Sequence, residues 1–193
     1  GTRYVAEAAA AAGSRLIHMS TDLVFAGQDR PYHERDQPDA HLQYGQWKAT
    51  AEQMVARAGG NSLIVRTSLL YGTDFQAPIQ REVAAVVAGR SSTRFFTDEF
   101  RCPAHADDVA TALVTLADRV DLTGVLHVAG PQALSRAALA GAFAQRIGAD
   151  PAQLPTSTIS ESGLDRPTRV VLDSSAAARI GIRCRSVEEA LRQ

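Results

Sequence analysis

The sequence predicts an α/β fold built around a mostly parallel sheet. Short apolar runs alternate along the chain with longer segments of helical periodicity, and this alternation is typical of strand–helix–strand units. Glycine follows several helical segments, as at Gly13 and Gly148, where it can end a helix in the left-handed conformation. Of the 193 residues 45% are hydrophobic, so the chain has enough apolar side chains for a sizeable core.

The strands and helices can be placed in order along the chain. Three apolar runs with the length of buried strands lie at 16–20, 62–67 and 124–129, and shorter strands are expected at 94–97 and 169–173. Helices are expected at 2–12, 43–58, 78–89, 107–117 and 136–147, with two short ones after residue 173. The segments 26–42 and 149–168 are rich in Pro, Gly, Asp or Ser, which predicts loops.

Composition excludes several classes of protein. The formal net charge of -1 offers no electrostatic basis for binding nucleic acid or an anionic membrane. No run of eighteen apolar residues exists, so no transmembrane helix is expected. The two cysteines, Cys102 and Cys184, have no metal-ligand spacing, so no metal site is expected and a reducing, cytoplasmic setting is the default.

The only lysine among the 20 lysines and arginines, Lys48, stands four residues after Tyr44 in a predicted helix. That spacing places both side chains on one helix face. An ammonium group there favours the phenolate form of Tyr44, which brings the phenol closer to proton transfer at neutral pH. The alternative is an incidental pair on a solvated face, although chance would place a lone lysine four residues after a tyrosine roughly once in fifty times.

Polar residues follow the first two main strands. Ser20, Thr21 and Asp22 come after the first strand, and the segment 66–72 follows the second. Because ligands of parallel α/β sheets bind beyond the carboxyl ends of the strands, we expect these residues to meet Tyr44 in one crevice.

Four ordered segments carry a more specific signal. They are Ser-Thr-Asp-Leu-Val-Phe-Ala-Gly at 20–27, Pro-Tyr-His-Glu at 31–34, Tyr-Gly-Gln-Trp-Lys at 44–48 followed by Glu52, and Arg-Thr-Ser-Leu-Leu-Tyr-Gly at 66–72. Together with Pro103 and the acidic pair Asp107-Asp108, this set resembles the dTDP-4-dehydrorhamnose reductase family of the extended short-chain dehydrogenase/reductase superfamily. The resemblance covers nearly the whole chain.

The resemblance implies a Rossmann-like, doubly wound sheet with a small α/β substrate-binding lobe. Residues 1–75 would form the C-terminal part of the dinucleotide-binding core. Residues 76–193 would form the lobe, interleaved with the last core elements. The implied activity is NAD(P)H-dependent reduction of a nucleotide-linked 4-keto-6-deoxy sugar. The choice between NAD and NADP is left open.

The same resemblance assigns roles to matching residues. Tyr44 would donate a proton to the keto oxygen, Thr21 would hydrogen-bond that oxygen, and Lys48 would hold the nicotinamide ribose. The expected cofactor contacts are Ser20, Tyr44, Lys48, Thr67, Ser68 and Leu69. The expected substrate contacts are Asp22, Val24, Phe25, Arg66, Arg101 and His105. For Thr21 the nearest rival is Ser20, and for Arg66 a structural ion pair is an equal alternative.

Two departures from the family pattern are expected to matter. Trp47 stands where the family has a small residue before the lysine. No glycine-rich phosphate loop is present, so we expect a C-terminal fragment that lacks most of the cofactor cradle. Without the missing strands a sheet edge and apolar helix faces would be exposed, so the fragment alone is expected to be poorly soluble, to self-associate or to be incompletely ordered.

Two other functions stay open at this stage. The family pattern is shared by the regulatory beta subunit of methionine adenosyltransferase, which is a non-catalytic binding partner. A sugar-nucleotide epimerase or dehydratase would use the same tyrosine and lysine with a retained cofactor. The expected partner in the leading case is a nucleotide sugar, and a homodimer is left open.

Overall fold

A computed structural model describes residues 1–74 and 76–192, in which helices and strands alternate. The helices are Thr2–Ala11 (α1), Gln43–Ala58 (α2), Pro78–Val87 (α3), Ala106–Ala117 (α4), Arg136–Arg146 (α5), Ile159–Ser162 (α6), Ser175–Arg179 (α7) and Val187–Leu191 (α8). The strands are Leu16–Thr21 (β1), Ser62–Thr67 (β2), Leu70–Tyr71 (β3), Phe95–Phe96 (β4), Phe100–Arg101 (β5), Ala104–His105 (β6), Gly124–His127 (β7), Leu134–Ser135 (β8) and Thr156–Ser157 (β9). Two 3₁₀ turns lie at Asp22–Val24 and Pro151–Gln153.

The central sheet is parallel and has the strand order β1-β2-β7. Alternate residues of each strand face opposite sides, so Ile64 packs with α1 and α2 while Val65 packs with α4 and α7. The sheet is therefore covered by helices on both faces, as a parallel sheet requires. The register pairs Thr21 with Thr67, which brings the carboxyl ends of β1 and β2 side by side.

A second core lies beyond the sheet. It is built from α3, α5 and α8 around residues that include Val83, Leu139, Phe143 and Val187, all at most 1% exposed. Two-residue strand pairs connect this region to the rest of the chain: β3 with β6, β4 with β9, and β5 with β8. The division into a core at 1–75 and a lobe at 76–193 stays a prediction, and α4 and β7 do return to the central sheet.

The ends of the helices follow from local chemistry. The hydroxyl of Ser135 accepts a hydrogen bond from the main-chain N–H of Ala138, which caps α5 as its sequence predicts. Gly13 and Gly148, with φ of +63° and +76°, end α1 and α5 in the left-handed region that glycine adopts without strain.

Two sequence-based expectations differ from the structure. Residues 149–168 were expected to form a loop, but they contain a 3₁₀ turn, β9 and the capped helix α6. Residues 169–173 were expected to form a strand, yet they make only isolated bridges, Phe100 with Arg169 and Tyr32 with Leu172. The segment changes neighbour within four residues, so no continuous ladder forms.

The central sheet has open sides in the described residues, because β1 pairs only with β2 and β7 only with β2. Large apolar side chains are exposed on α1 and α2, among them Tyr4 at 64% and Trp47 at 66%. The expected self-association stays a prediction that these features support. Within residues 1–74 and 76–192, no helix has both the length and the apolar content needed to cross a lipid bilayer.

Candidate active site

Helix α2 docks closely against the end of β1, and Gly45 makes this possible. A Cβ atom at Gly45 would lie 1.9 Å from the carbonyl oxygen of Leu23, in the 3₁₀ turn that follows Thr21. Tyr44 precedes this glycine and Lys48 follows it by three residues, so the close approach carries both to the end of the strand. The close approach of α2 to the end of β1 therefore depends on the absence of a side chain at residue 45.

Tyr44 and Lys48 differ in their hydrogen bonding. The Tyr44 residue is 52% exposed, and its hydroxyl has no hydrogen-bond partner among the described residues. Lys48 Nζ donates to the carbonyl oxygen of Met19 at 2.6 Å, close to the end of β1. An ammonium group has three hydrogens, so two remain for a ligand.

Two threonines mark the ends of β1 and β2. Thr21 Oγ1 donates weakly to Asp22 Oδ1 at 3.2 Å and accepts from the main-chain N–H of Leu23 at 3.2 Å. Thr67 Oγ1 is buried and has no hydrogen-bond partner among the described residues. A buried hydroxyl without a partner is costly, which makes this atom a candidate contact for a ligand or a water molecule.

Asp22 lies beneath Thr21 and is fully buried in a charged network. Its carboxylate accepts a two-point contact from the Arg101 guanidinium and a hydrogen bond of 2.5 Å from Ser68 Oγ. Ser68 Oγ also accepts from the main-chain N–H of Cys102 at 3.2 Å. Because Asp22 has these partners, Thr21 can turn its hydroxyl away without leaving the carboxylate unpaired.

The network continues to Glu99, a carboxylate only 1% exposed. Three guanidiniums approach it to 3.7–3.8 Å: those of Arg101, Arg136 and Arg166. Burial lowers the pKa of Arg136, and the charge of Glu99 opposes that shift. Together with Asp22, the network contains three guanidiniums and two carboxylates, so it carries one net positive charge.

A separate network lies on the α2 side of the sheet. Arg66 donates two hydrogen bonds to the Glu52 carboxylate, from Nε at 2.9 Å and from Nη2 at 2.6 Å. Ser20 Oγ donates to the same carboxylate at 2.5 Å. On the far side Arg66 Nη1 lies 3.5 Å from His127 Nε2, so the network reaches β7.

The six expected substrate contacts stay a prediction, and the structure shows that all of them are buried. Asp22, Val24, Phe25, Arg66, Arg101 and His105 are all at most 3% exposed. The charged members face protein partners, and Arg66 takes the ion-pair alternative with Glu52. His105 accepts a hydrogen bond from the main-chain N–H of Asp107 and so caps α4. In this structure none of the six offers its side chain to an open surface.

The expected cofactor contacts differ in whether their side chains are already engaged with other protein groups. Tyr44, Lys48 and Thr67 have donor or acceptor capacity left for a ligand. Ser20 and Ser68 donate to the carboxylates of Glu52 and Asp22. Leu69 packs against the second core, which α3, α5 and α8 form. Trp47, the departure from the family pattern, lies in a shallow groove with Gly1 and with the first residues of α1.

Cavities outside the strand ends have different linings. One of about 740 Å³ lies between residues 128–133, 169–178 and 182–184, and its lining does not include Thr21, Tyr44 or Lys48. A smaller one of about 280 Å³ is lined by Arg94, Arg136 and Arg166 together with Phe96. Sequence reasoning missed these arginines, because no local spacing distinguishes them from the other arginines of the chain.

Metal ligands are not grouped in the described part of the chain. No set of three or more His, Cys, Asp or Glu residues there has positions that could hold a metal ion. Burial raises the pKa of both Cys102 and Cys184 to about 11, so each thiol stays protonated near neutral pH.

Comparison with known families and proteins supports one assignment. The family model described as RmlD substrate binding domain matches residues 1–193. The dTDP-4-dehydrorhamnose reductase of Mycobacterium tuberculosis is 34% identical over 176 residues, which cover 86% of this chain and 56% of the relative. The chain thus spans about half the length of the curated relatives it matches. The methionine adenosyltransferase 2 subunit beta of Bos taurus is 29% identical and is covered to the same 56%.

A solved structure agrees with the fold. The dTDP-4-dehydrorhamnose reductase of Bacillus anthracis, determined in complex with NADP, superposes with a TM-score of 0.88 at 26% identity. The match covers 99% of this chain and 68% of that one. The Rossmann-like α/β fold expected from the sequence is confirmed.

Proposed function

Since this chain belongs to the RmlD substrate binding domain family, we propose that it forms the catalytic part of an NAD(P)H-dependent reductase of nucleotide-linked 4-keto-6-deoxy sugars. One observation carries the proposal. Gly45 lets α2 lie against the turn after Thr21, and Lys48 Nζ donates to the Met19 carbonyl of β1 at 2.6 Å, which supports a site at the carboxyl end of that strand.

The residues at the strand ends suit a nicotinamide nucleotide. Thr67 Oγ1 is a buried hydroxyl without a partner, and it can pair with a polar group such as a carboxamide. Lys48 has two ammonium hydrogens left for ribose hydroxyls. Tyr44, Lys48 and Thr67 would therefore hold the nicotinamide end, and the bound cofactor would supply the hydride.

Reduction of a ketone creates negative charge on its oxygen, and the chain has the groups to receive it. Tyr44, a half-exposed residue, would pass its hydroxyl proton to that oxygen. Thr21 would turn its weakly held hydroxyl from Asp22 toward the same oxygen and stabilise the developing charge. Lys48 would stabilise the phenolate that remains on Tyr44.

The other end of the substrate is anionic, and the lobe offers a matching surface. The cavity lined by Arg94, Arg136 and Arg166 also has one carboxylate, Glu82, in its lining, so the lining side chains are net positive, and Arg136 and Arg166 belong to the network around Glu99. That network begins at Asp22, directly beneath Thr21. A nucleotide sugar with its keto group at Thr21 and its diphosphate toward these arginines fits this distribution of charge.

The test uses the full-length protein with NAD(P)H and a dTDP-4-keto-6-deoxy sugar. Tyr44→Phe removes the proton donor, and we expect kcat to fall by about 100-fold or more. Tyr4→Phe changes another exposed tyrosine, on α1, and should leave kcat unchanged. Equal activity of Tyr44→Phe and the wild type would contradict the proposal.

The rival functions give different results in the same assay. Product formed without net consumption of NAD(P)H would indicate an epimerase or dehydratase. No turnover, with tight binding to a methionine adenosyltransferase catalytic subunit, would indicate the regulatory role suggested by the bovine relative. The presence of Thr21, Tyr44 and Lys48 together supports the reductase.

A further inference from the structure

We propose that Glu52 and Arg66 are positioning residues of the proposed reductase, in which their buried ion pair places Lys48 and keeps the charge around its ammonium balanced. The inference rests on the proposed function, because it assigns how the Tyr44–Lys48 pair is held and tuned. Neither Glu52 nor Arg66 touches the reacting atoms in this arrangement.

A single carboxylate joins the three elements that carry the site. Glu52 is one helical turn beyond Lys48 on α2. Its carboxylate accepts from Ser20 on β1, next to Thr21, and from Arg66 on β2, next to Thr67. The side chains of Arg66 and Glu52 are only 3% and 6% exposed. A displacement of this carboxylate would therefore move α2 relative to both strand ends.

The second part of the inference concerns charge. His18 on β1 lies within electrostatic range of both Lys48 and Glu52, which places these two charges in one neighbourhood. Among the described residues, Tyr44 and Glu52 lie one helical turn on either side of Lys48 on α2, His18 on β1 interacts with both Lys48 and Glu52, and Arg66 on β2 pairs with Glu52. His127 on β7 lies beyond Arg66, and Glu34 accepts from its main-chain N–H. Glu52 balances Arg66, so the Lys48 ammonium acts on Tyr44 without an additional buried charge.

Removing the charge of Glu52 and removing the charge of Arg66 should shift the pH dependence of activity in opposite directions. Glu52→Gln keeps the shape but leaves the Arg66 cation unbalanced, and positive charge favours the phenolate form of Tyr44. Because the reduction needs the protonated phenol, the alkaline limb of the activity profile should move to lower pH, by about 0.3 unit at low salt across the roughly 12 Å of helix that separate the two residues. Arg66→Gln leaves an unbalanced anion and should move the limb about as far to higher pH.

Charge-conserving variants separate this role from simple structural support. Glu52→Asp and Arg66→Lys disturb packing and hydrogen bonds but keep the charges, so the alkaline limb should stay in place even where kcat falls. The double variant Glu52→Gln/Arg66→Gln removes both charges and should restore the limb to the wild-type pH. A purely structural pair would lower stability in all these variants and shift no limb.

The experiment uses the full-length protein and two readouts. The first is the pH profile of kcat with NAD(P)H and a dTDP-4-keto-6-deoxy sugar. The second is the ultraviolet titration of tyrosinate, with the Tyr44→Phe protein subtracted, which needs no turnover. Opposite shifts of the Tyr44 titration in a protein without reductase activity would support the positioning role and reject the proposed function. Titrations that move together, or not at all, in folded Glu52→Gln and Arg66→Gln proteins would overturn the inference.

Discussion

His18 lies on β1 and faces the α2 residues Lys48 and Glu52. Burial lowers the pKa of its imidazole, the nearby Lys48 ammonium lowers it further, and the Glu52 carboxylate opposes both. His127, on the neighbouring side of the Arg66 network, also has a pKa lowered by burial. At the scale of single residues, the site thus carries two histidines that stay neutral at a pH where free imidazoles begin to protonate.

This gives a prediction about pH and stability. As pH falls below about 6.5, the unfolded chain takes up a proton at His18 before the folded protein does, so the free energy of unfolding should decrease. His18→Gln removes one source of this decrease. Urea unfolding between pH 7 and 5.5 should therefore show a smaller loss of stability for the variant than for the wild type. An identical pH dependence in both proteins would contradict the assignment.

At the scale of elements, the docking of α2 on the turn after β1 determines where Tyr44 and Lys48 lie. The helix itself follows from its sequence, but its distance from the turn depends on Gly45. A Cβ there would lie 1.9 Å from the Leu23 carbonyl oxygen and 2.8 Å from the Ala40 Cβ, and neither contact can be relieved by rotating a flexible side chain.

Gly45→Ala should therefore force α2 away from the turn and destabilise the protein. Overpacking of this kind costs about 1–3 kcal/mol of unfolding free energy. Gln53→Ala, at an exposed position of the same helix, serves as the control and should change stability by less than about 0.5 kcal/mol. If urea unfolding gives the same value for both variants, the close approach does not constrain the helix.

At the scale of the whole molecule, the charged network from Asp22 to Glu99 connects distant parts of the chain. Asp22 follows β1, Glu99 and Arg101 lie at β5, Arg136 opens α5, and Arg166 lies in the segment after α6. The network thereby connects the segment after β1 with β5, with the start of α5 and with the segment after α6.

Loss of the central carboxylate should be costly. Glu99→Gln leaves three guanidiniums with Asp22 as their only remaining anion in the network, and breaking a buried ion pair in this way costs about 3–5 kcal/mol. Glu7→Gln removes an exposed carboxylate that pairs with Arg3 on α1, and it should cost at most about 1 kcal/mol. The free energies of unfolding of both variants test this, and similar values would show that Glu99 does not hold the network together.

Much of the fold could be predicted because it depends on neighbouring residues. The long helices and the three main strands follow from apolar periodicity, and the cap at Ser135 follows from a side chain three residues from its partner. The segment 169–173 could not be predicted, because its bridges depend on Phe100 and Tyr32, which are far away in the sequence.

The sequence by itself determined the family, the α/β class and the placing of Tyr44 and Lys48 on one helix face, since these depend on residue order and helical geometry. Only the tertiary structure decided which polar residues are buried in ion pairs and which remain available to a ligand. The physical reason is that Asp22 and Arg101, or Glu52 and Arg66, find each other across elements that local propensity does not bring together. Their burial requires pairing, and the chain order does not specify the partner.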